Sequence, residues 1–200
     1  MERAEDAAVD ACTRCADLVE SRSRIVNGVG PLDADIVLVG EAPGVEEDAR
    51  GEPFVGRSGE ILDTGLEERG LDREAVRITN CVRCRPPENR DPRTEELENC
   101  RRYLERELRL VDPKVVVTLG KVASEHLLGR SVAVTGEAGS VDRLELEGET
   151  YPVLISVHPA ATLYDRSQRD TLESVLDRAV SMAVDAGLDG QEGQAELGDF

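Results

Sequence analysis

Short runs rich in branched apolar residues alternate along this chain with stretches whose apolar positions recur every three or four residues. Ile36 to Val39, Val76 to Thr79, Val115 to Leu119 and Val153 to Val157 have strand length and read as buried strands. Ser58 to Arg69 carries Ile61, Leu62 and Leu66 at helical spacing and stops at Gly70. A helix opening at Thr94 puts Leu97, Cys100, Tyr103, Leu104 and Leu108 on one face, and a shorter one, 121–128, follows Gly120. Val141 to Leu146 reads as a hairpin arm paired with Tyr151 onward, and Thr171 to Ala186 as a terminal helix with Leu172, Val175, Leu176, Ala179 and Val180 inward. Residues 2–20 suggest a helix interrupted around Cys12 and Cys15, and Arg24 to Asp33 reads as a Gly/Pro linker. Strands alternating with helices predict an α/β fold, a mostly parallel sheet covered on both faces. One domain is expected over residues 1–185, followed by a disordered acidic tail, 186–200; from Asp185 onward there are five acids and no base.

Open α/β sheets bind ligands beyond the carboxyl ends of their strands. Here the four main strands run out at Gly40-Glu41, Asn80, Gly120-Lys121 and His158. The first is followed by GEAPGVEEDARGEPFVGRSG, Gly40 to Gly59, with five glycines and two prolines. That is far longer than the usual αβ connection of about 2–6 residues. Its composition suits either a turn-rich surface loop or a loop whose backbone approaches a ligand closely. The strand-end coincidence favours the second and nominates Glu41, Asn80 and His158 as one site.

Composition restricts the core and complicates the choice of partner. Only 2% of residues are aromatic, so the core must be built from Val, Leu, Ile and Ala. The net charge is −18, and Lys114 and Lys121 are the only lysines among 24 basic residues. Such acidity either disfavours a polyanionic partner or reflects an acidic, halophile-like proteome. Locally the balance reverses, because nine arginines face seven acids from Arg77 to Arg109. No segment approaches the roughly 20 apolar residues of a membrane span, and no secretory signal is recognisable, so a cytoplasmic location is expected. Disulfides are then not expected among the five cysteines. Cys12-x2-Cys15 has chelate spacing, and Cys84 with Cys100 would complete four thiolates, equally suited to zinc or an iron–sulfur cluster. Cys81, directly after a strand, reads as a small buried hydrophobe.

Five segments together carry a resemblance: GEAPG (40–44), GEPFVGRSG (51–59), ITN (78–80), CRPPENRDP (84–92) and HPAA (158–161). In this order and spacing they resemble the family 4 uracil-DNA glycosylases, the iron–sulfur branch of their superfamily. The resemblance implies an α/β/α sandwich around a four-stranded parallel sheet. It implies a [4Fe–4S] cluster on Cys12, Cys15, Cys84 and Cys100, and hydrolysis of the N-glycosidic bond of a uracil flipped out of DNA. By the same resemblance Gly40, Ala42 and Gly44 offer backbone contacts, Phe54 stacks on the base, Asn80 reads its edge and Glu47 crowds its C5 side. Glu41 would position water, and His158 would donate to uracil O2. Arg85, Arg90 and Arg93 would meet phosphates. The loop from Ala160 to Arg166 would enter the duplex, with Leu163 as wedge and Arg166 at its end. The expected state is a monomer acting on uracil-containing DNA, with replication or repair proteins as possible partners. The alternative is a non-catalytic DNA-binding module like a phage DNA-polymerase-associated relative. A branch forming covalent adducts carries a His-containing insertion here, and CVRCRPPENRDPR after Asn80 has no His.

Overall fold

The computed structural model describes residues 7–195, without the side chains of 187–195. At its centre is one sheet in the order β2-β1-β3-β5-β4: β1 Ile36–Gly40, β2 Arg77–Asn80, β3 Val115–Leu119, β4 Val141–Leu146 and β5 Glu149–Ser156. β1 lies parallel to β2 and to β3, and β3 parallel to β5. The sheet therefore has five strands, where the resemblance implies four. The hairpin arm β4 pairs antiparallel with β5 from Val141↔Leu154 to Leu146↔Glu149. Its alternation explains the addition: Leu144 and Leu146 turn inward onto Tyr151 and Val153, while their neighbours stay wet. A hairpin needs no crossover and joins a parallel sheet as its edge.

Because successive side chains of a strand point to opposite faces, each central strand feeds two cores. Ile36, Leu38, Ile78, Val117 and Leu154 pack on one side, with Leu62 and Leu66 of α3 (Arg57–Glu67) and Leu172, Val175 and Leu176 of α7 (Arg166–Ala195). Val37, Val39, Val116 and Val153 pack on the other, with Leu104 and Leu108 of α4 (Thr94–Val111) and Leu127 of α5 (Lys121–Leu128). Cys81 is fully buried in this second core, as its place after a strand suggests. By the same alternation Gly40 and Asn80, two residues beyond Leu38 and Ile78, emerge on the α3/α7 side. Backbone geometry alone thus assigns the site to one face of the sheet.

Four features depart from the apolar pattern. α1 (Ala16–Ser21) starts only after Cys15. The long loop contains a short helix, α2 (Val45–Arg50), which shows no apolar stripe and is delimited by Gly44 and by Gly51 in the left-handed region. A further short helix, α6 (Val134–Glu137), precedes β4. The last helix passes Ala186 and continues to Ala195; the end of the acidic tail, 196–200, lies outside the described residues. Among the described residues no helix is long and apolar enough to cross a membrane.

Candidate active site and thiol cavity

The register of β1 and β2 sets Gly40 beside Asn80. A Cβ on Gly40 would stand 2.4 Å from Asn80 Oδ1 and 2.5 Å from Phe54 Cε2, so both side chains occupy space that only glycine leaves free. The Phe54 ring also stacks toward His158, with centroids 5.9 Å apart and planes inclined at 30°. His158 lies just past β5 and against the end of β3, where Gly120 has φ +106° and a Cβ would come within 3.1 Å of His158 Cβ. Three strand ends and the long loop therefore set Gly40 against Asn80 and Phe54, and Phe54 toward His158. Glu41 joins them by sequence, one residue beyond Gly40, and feels the charge of Asp91.

Two titratable groups are tuned by this environment. His158 Nδ1 accepts a hydrogen bond from the Ala160 backbone N–H at 3.1 Å, which fixes the neutral ring with its proton on Nε2. Burial lowers the His158 pKa, overriding the opposing pull of Glu47, so the ring is a neutral donor at pH 7. Burial, reinforced by Asp91, raises Glu41 to about 7.

Two of the loop acids, Glu47 and Asp48, are anchored rather than solvated. Glu47 Oε2 accepts from Gly44 N–H at 3.1 Å, and Oε1 from the N–H groups of Val55 and Gly56, each at 3.3 Å. One carboxylate thus draws the two ends of the loop together across α2, while Ala42 and Gly44 flank the buried Pro43 at the loop's start. Asp48 is buried and accepts from Ser23 N–H at 2.9 Å; Glu46 and Glu52 face solvent.

The arginines divide sharply. Arg77 and Arg83, both counted in the local positive surplus, are buried and share Glu107 at 2.7 and 2.6 Å. Their charge does not reach the surface. Arg90 forks onto Glu96 at 2.6 and 2.8 Å, and Arg93 reaches Asp17 at 2.5 Å. Arg85 bonds Asn89 Oδ1 at 2.7 Å and forms no ion pair among the described residues. Arg166 is exposed at the start of α7. Leu163, 38% exposed, lines a groove between α3 and α7 with Ile61, Leu172 and Leu176. Its neighbour Tyr164 is 90% exposed; an aromatic in a binding loop is a signal the apolar pattern passes over.

The four nominated thiols converge. Cys12, Cys15, Cys84 and Cys100 line one cavity walled by Leu18, Val19 and Val82. α4 delivers Cys100, and α1 begins at the edge of the C-x2-C pair. Arg22 donates to Cys84 Sγ at 2.8 Å and to the Cys12 carbonyl at 2.7 Å, while Asn99 donates to Cys15 Sγ at 3.5 Å. Burial raises Cys15 and Cys84 and pushes Cys100 to about 11, so ligation must displace protons. Among the described residues no three His, Cys, Asp or Glu side chains are placed to hold one metal ion.

The sequence model of the uracil DNA glycosylase superfamily matches residues 27–179. A type-4 uracil-DNA glycosylase of Archaeoglobus fulgidus is 43% identical over 168 residues, covering 82% of this chain and 84% of its own. One of Thermotoga maritima is 41% identical over 172 residues, covering 84% and 87%. A DNA polymerase of Bacillus phage SP01 is 29% identical over 154 residues, 76% of this chain but 16% of the polymerase. The chain belongs to the uracil-DNA glycosylase superfamily and groups with its type-4 members.

Proposed function

We propose that this protein is a uracil-DNA glycosylase, a DNA repair hydrolase that releases uracil from an extruded nucleotide. The carrying observation is the Phe54 ring, set against Gly40 beside Asn80 and stacked toward His158. An extruded pyrimidine stacks on Phe54. The Asn80 amide offers a donor to O4 and an acceptor to N3–H of uracil, a pairing that cytosine reverses. As the glycosidic bond breaks, negative charge builds on uracil O2 and positive charge on the sugar. His158, already neutral and aimed through Nε2, donates to O2, which is electrostatic preorganisation rather than proton transfer. Glu41, once ionised, positions the attacking water and offsets the cationic sugar. Glu47, rigid through its three backbone bonds, crowds the C5 side of the base. Backbone groups of Gly40, Ala42 and Gly44 complete the pocket, and Arg85, Arg90, Arg93 and Arg166 contribute to phosphate binding, with Leu163 as wedge. A monomeric, cytoplasmic enzyme fits this reading.

The donor set of the thiol cavity fits a [4Fe–4S] cluster on Cys12, Cys15, Cys84 and Cys100. The grouping with type-4 uracil-DNA glycosylases favours the cluster over single zinc, which four thiolates would equally suit. When bound, the cluster would brace the 85–93 loop against α1 and α4. Protein purified without oxygen should carry iron and sulfide and a visible absorbance that Cys100→Ser removes and Cys81→Ser retains. Stoichiometric zinc in place of iron would refute the assignment.

Purified protein should release uracil from single- and double-stranded DNA. Binding without release would instead support the non-catalytic module. Because Glu41 acts ionised and its folded pKa is raised to about 7, kcat/KM should climb as pH rises through that value. Asp91→Asn removes a neighbouring charge and should move this limb to lower pH, and Glu41→Gln should abolish it. A limb that ignores Asp91 would remove Glu41 as the titrating group.

A further inference from the structure

Phe54 carries φ +54°, a left-handed backbone that bulky residues rarely adopt. Two features outside the strand ends hold it there. Gly59 lies directly beneath; a Cβ there would stand 1.8 Å from the Phe54 carbonyl oxygen. Arg73, in the connection between α3 and β2, donates through Nη1 to the Phe54 carbonyl at 2.9 Å and through Nη2 to the Pro53 carbonyl at 2.6 Å. Its Nη1 also meets Asp63 Oδ1 of α3 at 2.8 Å, which fixes the guanidinium in plane and charge.

From this geometry we infer that Arg73, oriented by Asp63, is a positioning residue for uracil release: its two-pronged grip on consecutive carbonyls sets the plane in which the Phe54 ring meets both the base and His158. The inference rests on the proposed function for its catalytic consequence only. Arg73 touches none of Gly40, Asn80 or His158, and acts through the backbone of residues 53 and 54. A lysine could keep the ion pair with Asp63 but presents a point charge, and cannot reproduce a fixed fork onto two acceptors. Misplacing a ring that must lie flat on a pyrimidine hurts the reacting geometry more than the initial encounter with DNA, so kcat should fall more than KM rises.

The chain has two histidines, His126 and His158, so the His158 ring protons can be assigned in solution and read as a reporter of the Phe54 ring current. Spectra would be recorded at pH 8, where both rings are neutral. Arg73→Gln should move the His158 resonances toward their position in Phe54→Leu and leave those of His126 in place. On single-stranded uracil DNA the same variant should lose kcat on the order of 10²-fold, the scale set by a misplacement of about 1 Å. Arg73→Lys should show a smaller change in both readouts, and Asp63→Asn supplies the same pair of measurements if Arg73→Gln proves insoluble. Wild-type His158 resonances and kcat in Arg73→Gln would overturn the inference. So would a shift of His126 alongside His158, which would mark general loosening. An inactive wild type would count against the proposed function alone, since the spectra need no turnover.

Discussion

His158→Ala is expected to slow uracil release by about 10²–10³-fold, the effect of removing one preorganised donor from a developing oxyanion. The size follows from how little the wild-type ring must reorganise. Its Nδ1 is already occupied by the Ala160 N–H, so Nε2 carries the proton without a competing tautomer. Its lowered pKa has a definite sign: the ring stays neutral as pH falls below the ordinary histidine value. The pH limb assigned to Glu41 therefore should not contain a His158 component. The loss should appear in the single-turnover rate on single-stranded uracil DNA, with DNA affinity nearly unchanged, because the charge His158 stabilises exists only in the transition state. His158→Gln, which retains a donor but not the Nδ1 anchor, should fall between the two. A rate for His158→Ala within tenfold of wild type would displace the ring from this role.

The strand ends were legible because the strands were. Ile36 to Val39 is apolar throughout and Val115 to Leu119 but for Thr118, and the residues that follow such runs fall at one edge of a parallel sheet. Strand alternation then places Gly40 and Asn80 on one face with no further information. The gathering of Cys12, Cys15, Cys84 and Cys100 around one cavity was legible only in part, since the C-x2-C spacing marks the first two and the resemblance supplied the others. What escaped was charge. Arg77, Arg83 and Glu107 read as surface residues of a mixed-charge stretch, yet they are partners from β2, its following loop and α4, separated by 24 to 30 positions. Nothing local marks such a pair, because solvation is the default for charged residues and only topology overrides it. Arg73 escaped for the same reason: its acceptors are main-chain carbonyls, which leave no sequence signature. α2 escaped because six residues held by glycines and one carboxylate need no apolar stripe.

Glu107→Leu should destabilise the fold by about 3–5 kcal/mol, the scale for breaking a buried ion pair from one side. Glu107 is fully buried on α4, beneath the face of β2 opposite Asn80. Its Oε1 takes Arg77 Nε at 2.8 Å and Nη2 at 2.7 Å; its Oε2 takes Arg83 Nη2 at 2.6 Å and the Thr79 hydroxyl at 2.8 Å. Leucine would fill much of the volume but leave two guanidinium groups buried against it, and Arg83 Nε already lacks a partner. Other bonds cannot absorb the loss: Arg83 retains Asn27 Oδ1 at 3.0 Å, and Arg77 the Gly30 carbonyl at 2.5 Å, both neutral acceptors. For a domain of this size each kcal/mol moves the melting midpoint by roughly 2–4 °C, so the transition should drop by roughly 6–20 °C. Glu107→Gln, which keeps shape and two hydrogen-bonding positions, should lose less. Thr79 precedes Asn80, so in Glu107→Gln discrimination of uracil from cytosine should weaken well below the unfolding temperature. Chemical denaturation and a paired excision assay on the two bases test both halves. A Glu107→Leu protein as stable as wild type would mean that the two arginines find water on their own, and that this charge cluster does not hold the end of β2.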